Sequence, residues 1–181
     1  RTVYEPIKDS IDHYQSEYMR ALIEMNKEKN YYSDANSTLR IAYGKVEPYK
    51  PKDGVNYHYQ TYSEGILEKN ASGEKDYFLS DKLKSLYKNK DFGRYSINGV
   101  LPVCFIASNH TTGGNSGSPV INARGELIGL NFDRNWEGTM SDLNYDVRLC
   151  RNIAVDVRFI LFVIDRFAGA DYLIDEMTLI K

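Results

Sequence analysis

Only two cysteines, one tryptophan and three histidines occur among the 181 residues, and each scarcity removes a class of explanation. Cys104 and Cys150 have no metal-ligand spacing, so a clustered Cys/His metal site is excluded, and no stretch reads as a cofactor motif. Cys104 lies in the apolar run Val103-Cys104-Phe105-Ile106, where a buried free thiol is the favoured reading, although a bridge to Cys150 stays open. Long hydrophobic runs are missing too. The segment Phe159 to Ile164 is hemmed in by Asp156, Arg158, Asp165 and Arg166 and is far too short to span a bilayer. Charge of one sign is also lacking: 23 basic against 25 acidic residues leave -2, which gives no reason to expect nucleic acid or an anionic membrane as partner. No signal-peptide pattern opens the chain. Its abrupt start at Arg1, inside a helical pattern, reads as a segment of a longer protein.

What is present is the composition of one soluble globular domain, 42% hydrophobic and 27% charged. Ile7, Ile11, Tyr14, Tyr18, Leu22 and Met25 recur at three- and four-residue steps and predict a helix ending near Lys29-Asn30, its stripe used for core or inter-helix packing. Residues 31–37 read as a loop, and Leu39, Ile41 and Tyr43 alternate as a strand. Residues 44–78 read as loops with short strands. Thirteen of the fifteen tyrosines lie in the first hundred residues, but no basic run accompanies them, which sets aside single-strand nucleic-acid binding. Sequons at Asn36, Asn70 and Asn109 are common by chance and carry no weight.

Further on, Ser80-Asp81 predicts the cap of a short helix through Leu83, Leu86 and Tyr87. Leu101 to Ala107 predicts a buried strand. Ser118–Ile121 and Glu126–Phe132 predict a hairpin about the turn Asn122-Ala123-Arg124-Gly125, with both strands apolar and the hairpin the best protected element. Asn152 to Val155 predicts a last strand, followed by a helix capped by Asp156 and running to about Phe167. Gly169 breaks it, and a short turn through Leu173 and Met177 closes the chain.

A serine nucleophile needs a tight turn that exposes its oxygen, backbone N–H groups aimed at the developing oxyanion, and a base. Gly113-Gly114-Asn115-Ser116-Gly117-Ser118-Pro119 supplies the first two, because glycines on both sides permit the positive φ angles that turn successive N–H groups inward. Alone, the string also fits a glycine-rich hairpin loop; the apolar hairpin directly after it favours catalysis. The base is harder to find. His110 stands in the loop feeding the turn, where aiming its ring at Ser116 is difficult, so a loop-bracing hydrogen bond is the favoured role. His13 and His58 read as surface or packing residues.

The Ser116 motif resembles the Gly-Asp-Ser-Gly-Gly-Pro signature of trypsin-like peptidases, with Asn115 for Asp and Ser118 for Gly. The longer run Thr111 to Val120, continued by Gly129-Leu130-Asn131-Phe132-Asp133-Arg134, resembles the bacterial S46 dipeptidyl-peptidases. Ser33-Asp34-Ala35-Asn36-Ser37-Thr38-Leu39-Arg40, Lys90-Asp91-Phe92-Gly93-Arg94-Tyr95 and Trp136-Glu137-Gly138 extend the likeness over most of the chain. The resemblance implies a mainly β fold, the second half of a chymotrypsin-like double β-barrel with a long N-terminal helix and a C-terminal helix. Residues 1–30 would be the tail of an inserted helical domain, and 31–181 the C-terminal barrel half.

By the same resemblance Ser116 is the nucleophile, and the N–H groups of Gly114 and Ser116 form the oxyanion hole. The triad histidine and aspartate would lie upstream of this chain, leaving the isolated segment inactive. Members with Arg at position 134 cut after acidic residues, since a guanidinium offers a planar fork to a carboxylate, whereas members with Gly there prefer hydrophobic ones. Taken without the resemblance, Arg134 reads as a surface residue paired with Asp133, Glu137 or Asp142. Asp133 would face the ammonium group of the substrate, or else pair with Arg134. The activity implied is release of N-terminal dipeptides with Asp or Glu second, from peptides with a free N-terminus, in an exported parent at the periplasm or cell surface, with a homodimer possible. A trypsin-like glutamyl endopeptidase and a non-catalytic half-barrel binding module are the alternatives.

Overall fold

The computed structural model describes residues 5–29, 31 and 37–180, and it divides into two units, Arg1–Thr38 and Leu39–Lys181. The first unit holds α1, Glu5–Met25. Its apolar stripe forms as the spacing predicts, yet Ile7, Ile11, Tyr14, Tyr18 and Met25 are exposed and only Leu22 is half-buried. Among the described residues of this unit, α1 has one tertiary contact, the Tyr31 hydroxyl donating to the Leu22 carbonyl at 3.0 Å, and Leu22 is the stripe residue it helps to cover. Expectations placed on Asn30 and on residues 32–36, including the Asn36 sequon and the first half of the Ser33 to Arg40 run, lie outside the described residues.

The second unit is built on an antiparallel sheet of five strands: β1 (Gln60–Tyr62), β2 (Pro102–Ala107), β3 (Pro119–Ile121), β4 (Leu127–Arg134) and β5 (Asn152–Asp156). Their spatial order is β1-β2-β5-β4-β3, and the sheet is open. The helical segments of this unit are α2 (Ser63–Ala71), α3 (Asp81–Lys88), α4 (Val157–Phe162), a π-helical turn over Val163–Phe167, α5 (Tyr172–Asp175) and short 3-10 turns over Lys75–Tyr77, Gly93–Tyr95 and Trp136–Gly138. This corrects the expectation of a mainly β chain. The strands are short, three to eight residues, and helices of six to nine residues stand beside them.

Local chemistry explains where the elements begin. Ser80 Oγ accepts the Leu83 N–H at 3.4 Å, which caps α3, and the Asp156 carboxylate accepts the Arg158 N–H at 2.9 Å, which caps α4. In the β3–β4 turn, Asn122 Oδ1 takes the N–H groups of Arg124 and Glu126, while Gly125 sits at φ +81°. Gly129 answers a different need. A Cβ there would lie 2.4 Å from the Val155 carbonyl oxygen and 2.8 Å from the Phe105 ring, so only glycine lets β4 approach β5 this closely.

The core lies under the helices: Tyr87, Phe92, Tyr95, Leu101, Leu161, Phe162 and Ile174 form one buried cluster. Phe92 and Tyr95 come from the Lys90 to Tyr95 run, whose Asp91 pairs with Arg166 and whose Tyr95 hydroxyl donates to Asp165 at 2.8 Å. That run therefore ties the C-terminal helix to the body. Three expectations fail in this unit. Leu39, Ile41 and Tyr43 form no strand and are 90%, 80% and 89% exposed, because no strand among the described residues pairs with them. Helix α2 occupies a segment read as loop. The hairpin is not the most shielded element either: β3 is an edge strand, Ile121 and Leu127 are exposed, and β5 is the central strand.

Candidate active site

The turn before β3 is shaped by its own backbone. Asn115 N–H donates to the Thr112 carbonyl at 3.2 Å and Ser118 N–H to the Asn115 carbonyl at 3.0 Å, with Gly114 at φ +94° and Gly117 at φ +82°. Asn115 Oδ1 closes the loop by accepting the Thr112 N–H at 2.9 Å. Ser116 stands exposed on this bend, and its hydroxyl donates to the Phe132 carbonyl of β4 at 3.4 Å. The N–H groups divide into two sets. Those of Asn115, Gly117 and Ser118 are spent on internal acceptors, whereas those of Gly114 and Ser116 donate to nothing among the described residues. Two unspent donors beside an exposed hydroxyl are what an oxyanion-stabilising turn requires.

Two buried asparagines hold this turn, and the sequence reading did not single them out. Asn131 of β4 takes the Gly117 N–H on its carbonyl at 2.7 Å, donates its own N–H to Ser118 at 2.9 Å, and donates Nδ2 to the Asn115 carbonyl at 3.3 Å. Its Oδ1 in turn accepts from Nδ2 of Asn152 on β5 at 2.9 Å. The available signal was an amide inside each of two strands, since a buried amide demands partners.

At the end of β4, the Arg134 guanidinium meets Asp142 on both terminal nitrogens: Nη1 to Oδ1 at 2.9 Å and Nη2 to Oδ2 at 2.8 Å. Nη1 also donates to Ser141 Oγ at 2.5 Å. Of the three pairings weighed from sequence, the one with Asp142 is present, and it holds the Asp142 carboxyl below the usual carboxylate range. Asp133 makes no ion pair with Arg134; its Oδ1 accepts the Arg134 backbone N–H at 2.8 Å. Arg134 lines a small cleft with Thr111, Ser141 and Asn152.

His110 braces the same region, with Nε2 3.1 Å from the Ser141 carbonyl and its ring stacked on Tyr145 at 4.5 Å. That geometry matches the loop-bracing role. His13 is exposed on α1, and His58 contacts Gln60 and Tyr59. Cys104 and Cys150 are both free thiols, and burial pushes the Cys104 thiol up. Among the described residues no group of three or more His, Cys, Asp or Glu side chains could hold a metal, and no helix is long and apolar enough to cross a membrane.

An exposed serine on a glycine turn, two N–H groups without an acceptor among the described residues and a guanidinium at the end of β4 stand together on an antiparallel sheet. Comparison with known proteins gives the family. The Peptidase S46 family model matches residues 1–179, and the chain belongs to that family. It is 54% identical over 177 residues to an Asp/Glu-specific dipeptidyl-peptidase of Flavobacterium psychrophilum, covering 98% of this chain and 25% of that protein. Dipeptidyl-peptidase 7 of Phocaeicola vulgatus is 51% identical over 165 residues, covering 91% of this chain and 23% of that protein. The crystal structure of Porphyromonas endodontalis DPP11 in complex with the dipeptide Arg-Glu superposes with a TM-score of 0.81 at 49% identity, over 88% of this chain and 23% of that one. The chain thus spans about a quarter of the length of the relatives it matches.

Proposed function

We propose that this chain is the nucleophile-bearing part of a serine dipeptidyl-peptidase that releases N-terminal dipeptides with Asp or Glu in the second position. The observation that carries the reading is that the N–H groups of Gly114 and Ser116 have no acceptor among the described residues and stand beside an exposed serine hydroxyl, while those of Asn115, Gly117 and Ser118 are committed. Ser116 Oγ attacks the scissile carbonyl, and the two N–H groups receive the oxyanion. A histidine base from outside residues 1–181 takes the serine proton and passes it to the leaving amine. Water then hydrolyses the acyl-enzyme. In this reading the open sheet is the second half of a chymotrypsin-like double barrel, and the parent is exported to the periplasm or cell surface, which fractionation of expressing cells tests.

The acidic preference rests on Arg134. Relatives named Asp/Glu-specific and relatives named dipeptidyl-peptidase 7 match at similar identity, so overall likeness does not choose the substrate. The Arg134 guanidinium supports the acidic reading, because such a group offers a carboxylate two parallel N–H donors. Asp133 keeps one carboxylate oxygen without a partner among the described residues, and this charge faces the substrate's ammonium group.

The test is Arg134→Gly in the full-length protein, with Leu-Asp and Leu-Leu dipeptidyl reporters. Loss of the guanidinium costs the Leu-Asp reporter about 2–5 kcal/mol, on the order of 30-fold to several-thousand-fold in kcat/KM. The Leu-Leu reporter holds or gains, because the emptied pocket no longer sets a charged fork against an apolar side chain. An unchanged Asp-to-Leu preference removes Arg134 from the pocket. N-acetylated Leu-Asp peptides cleaved as fast as free ones would point instead to an endopeptidase.

A further inference from the structure

A guanidinium carries five N–H donors on two usable edges, the end-on pair Nη1/Nη2 and the side-on pair Nε/Nη2. Asp142 occupies the end-on edge of Arg134 with both oxygens, and Ser141 Oγ takes the remaining Nη1 proton. The side-on edge, Nε–H and the second Nη2–H, has no acceptor among the described residues, and Nε is not among the buried polar atoms. The acceptors that fix the end-on edge are themselves fixed. Ser141 is buried, its N–H donates to the Gly138 carbonyl at 3.0 Å, and its carbonyl meets His110 Nε2 at 3.1 Å.

From this arrangement we infer that Asp142 is a positioning residue for acid recognition. With Ser141 it clamps the end of the Arg134 fork and so presents the side-on edge to the carboxylate of the substrate. The inference rests on the proposed role of Arg134 and adds the residue that orients it. A free arginine side chain must freeze several rotors when it grips a carboxylate; one already held at its far end loses little on binding. The carboxylate of Asp142 does not displace the substrate's, because the two use different edges of one planar group. Its own charge is spread into water, since the Asp142 side chain is 51% exposed against 27% for Arg134.

The experiment compares wild type, Asp142→Asn, Asp142→Glu, Arg134→Gly and the Arg134→Gly/Asp142→Asn double variant in the full-length protein, again with Leu-Asp and Leu-Leu reporters. Asparagine keeps the shape but offers one acceptor and turns an NH2 group toward the fork. Asp142→Asn therefore lowers the Asp-to-Leu ratio of kcat/KM about ten-fold, with the loss in KM for Leu-Asp rather than in kcat. Asp142→Glu, which restores a carboxylate, recovers part of that ratio. In the Arg134→Gly background, Asp142→Asn changes the ratio no further, because its effect runs through the guanidinium. A Leu-Asp KM that is unchanged or lower in Asp142→Asn overturns the inference, the lower value marking Asp142 as a competitor for the fork. Equal loss on both reporters with a reduced Tm, or independent effects in the double variant, overturns it as well. Failure of the underlying reading looks different: Arg134→Gly alone then leaves the Asp-to-Leu ratio where it was.

Discussion

Asn131 holds the Ser116 bend through both its backbone and its side-chain amide. Its backbone and amide together hold residues 115, 117 and 118, the two sides of the Ser116 bend, and Asn152 supports it from β5. Both are nearly inaccessible, at 6% and 2% exposure, so a lost partner is not replaced by water. Asn131→Ala should cost about 1–3 kcal/mol of stability, the penalty of leaving the Asn152 amide and the Asn115 carbonyl short of partners. It should also lower kcat of the full-length enzyme more than it raises KM, since the bend carries the proposed nucleophile and not the proposed contact to the substrate side chain. Urea titration and steady-state kinetics on the purified variant check both; unchanged kcat in a destabilised protein would make Asn131 a purely structural residue. The glycine bend that exposes Ser116 was legible because its geometry is local to a short motif. Asn131 and Asn152 were not, because each acts through a partner brought near by strand register, which periodicity does not encode; Asp142 was legible only as one of three candidate partners of Arg134.

At the scale of elements, close approach and turn geometry separate two glycines in one hairpin. Gly129 faces the Val155 carbonyl and the Phe105 ring, whereas a Cβ at Gly125 would meet nothing within 4 Å and only its φ of +81° is special. Gly129→Ala should therefore cost about 2–4 kcal/mol, as overpacking against backbone paired on both sides cannot relax. Gly125→Ala should cost about 1 kcal/mol, the penalty of an L-residue in the left-handed region. Chemical denaturation of the two variants gives the ordering, and a Gly129→Ala protein as stable as wild type would mean that β4 and β5 can separate. The helical core yields a pH prediction. Burial against Phe162 pushes the Tyr87 hydroxyl up from 10.0 to about 12. A raised pKa means the folded state favours the neutral phenol, so this contribution is complete below pH 10 and is lost as pH rises toward 12. The urea midpoint should fall across that window, and less steeply in Tyr87→Phe. The elements after residue 100 were readable because caps, glycines and apolar runs agree there. The segment 39–78 was not: alternation at Leu39, Ile41 and Tyr43 had no partner strand, and α2 carries only a weakly amphipathic sequence.

For the molecule as a whole, the question is what these residues do without the remainder of a family member. The sheet, the Ser116 turn and the Arg134 clamp are all internal to residues 39–180 and mutually bonded. The base is another matter. Among the described residues the one hydrogen bond of Ser116 Oγ goes to the Phe132 carbonyl, and the nearest histidine in sequence has its Nε2 engaged by Ser141. A serine hydroxyl without a base is a poor nucleophile, and an oxyanion hole alone leaves only a small residue of catalysis. A protein made of residues 1–181 should therefore resist labelling by a fluorophosphonate probe and hydrolyse neither dipeptidyl reporter. The full-length protein should be labelled at Ser116 and lose both labelling and turnover in Ser116→Ala. Mass spectrometry of the labelled peptide distinguishes the cases. Labelling of the short chain at Ser116 that disappears in His110→Ala would show that His110 leaves its Ser141 contact and serves as the base, which would make this segment a self-sufficient nucleophile site.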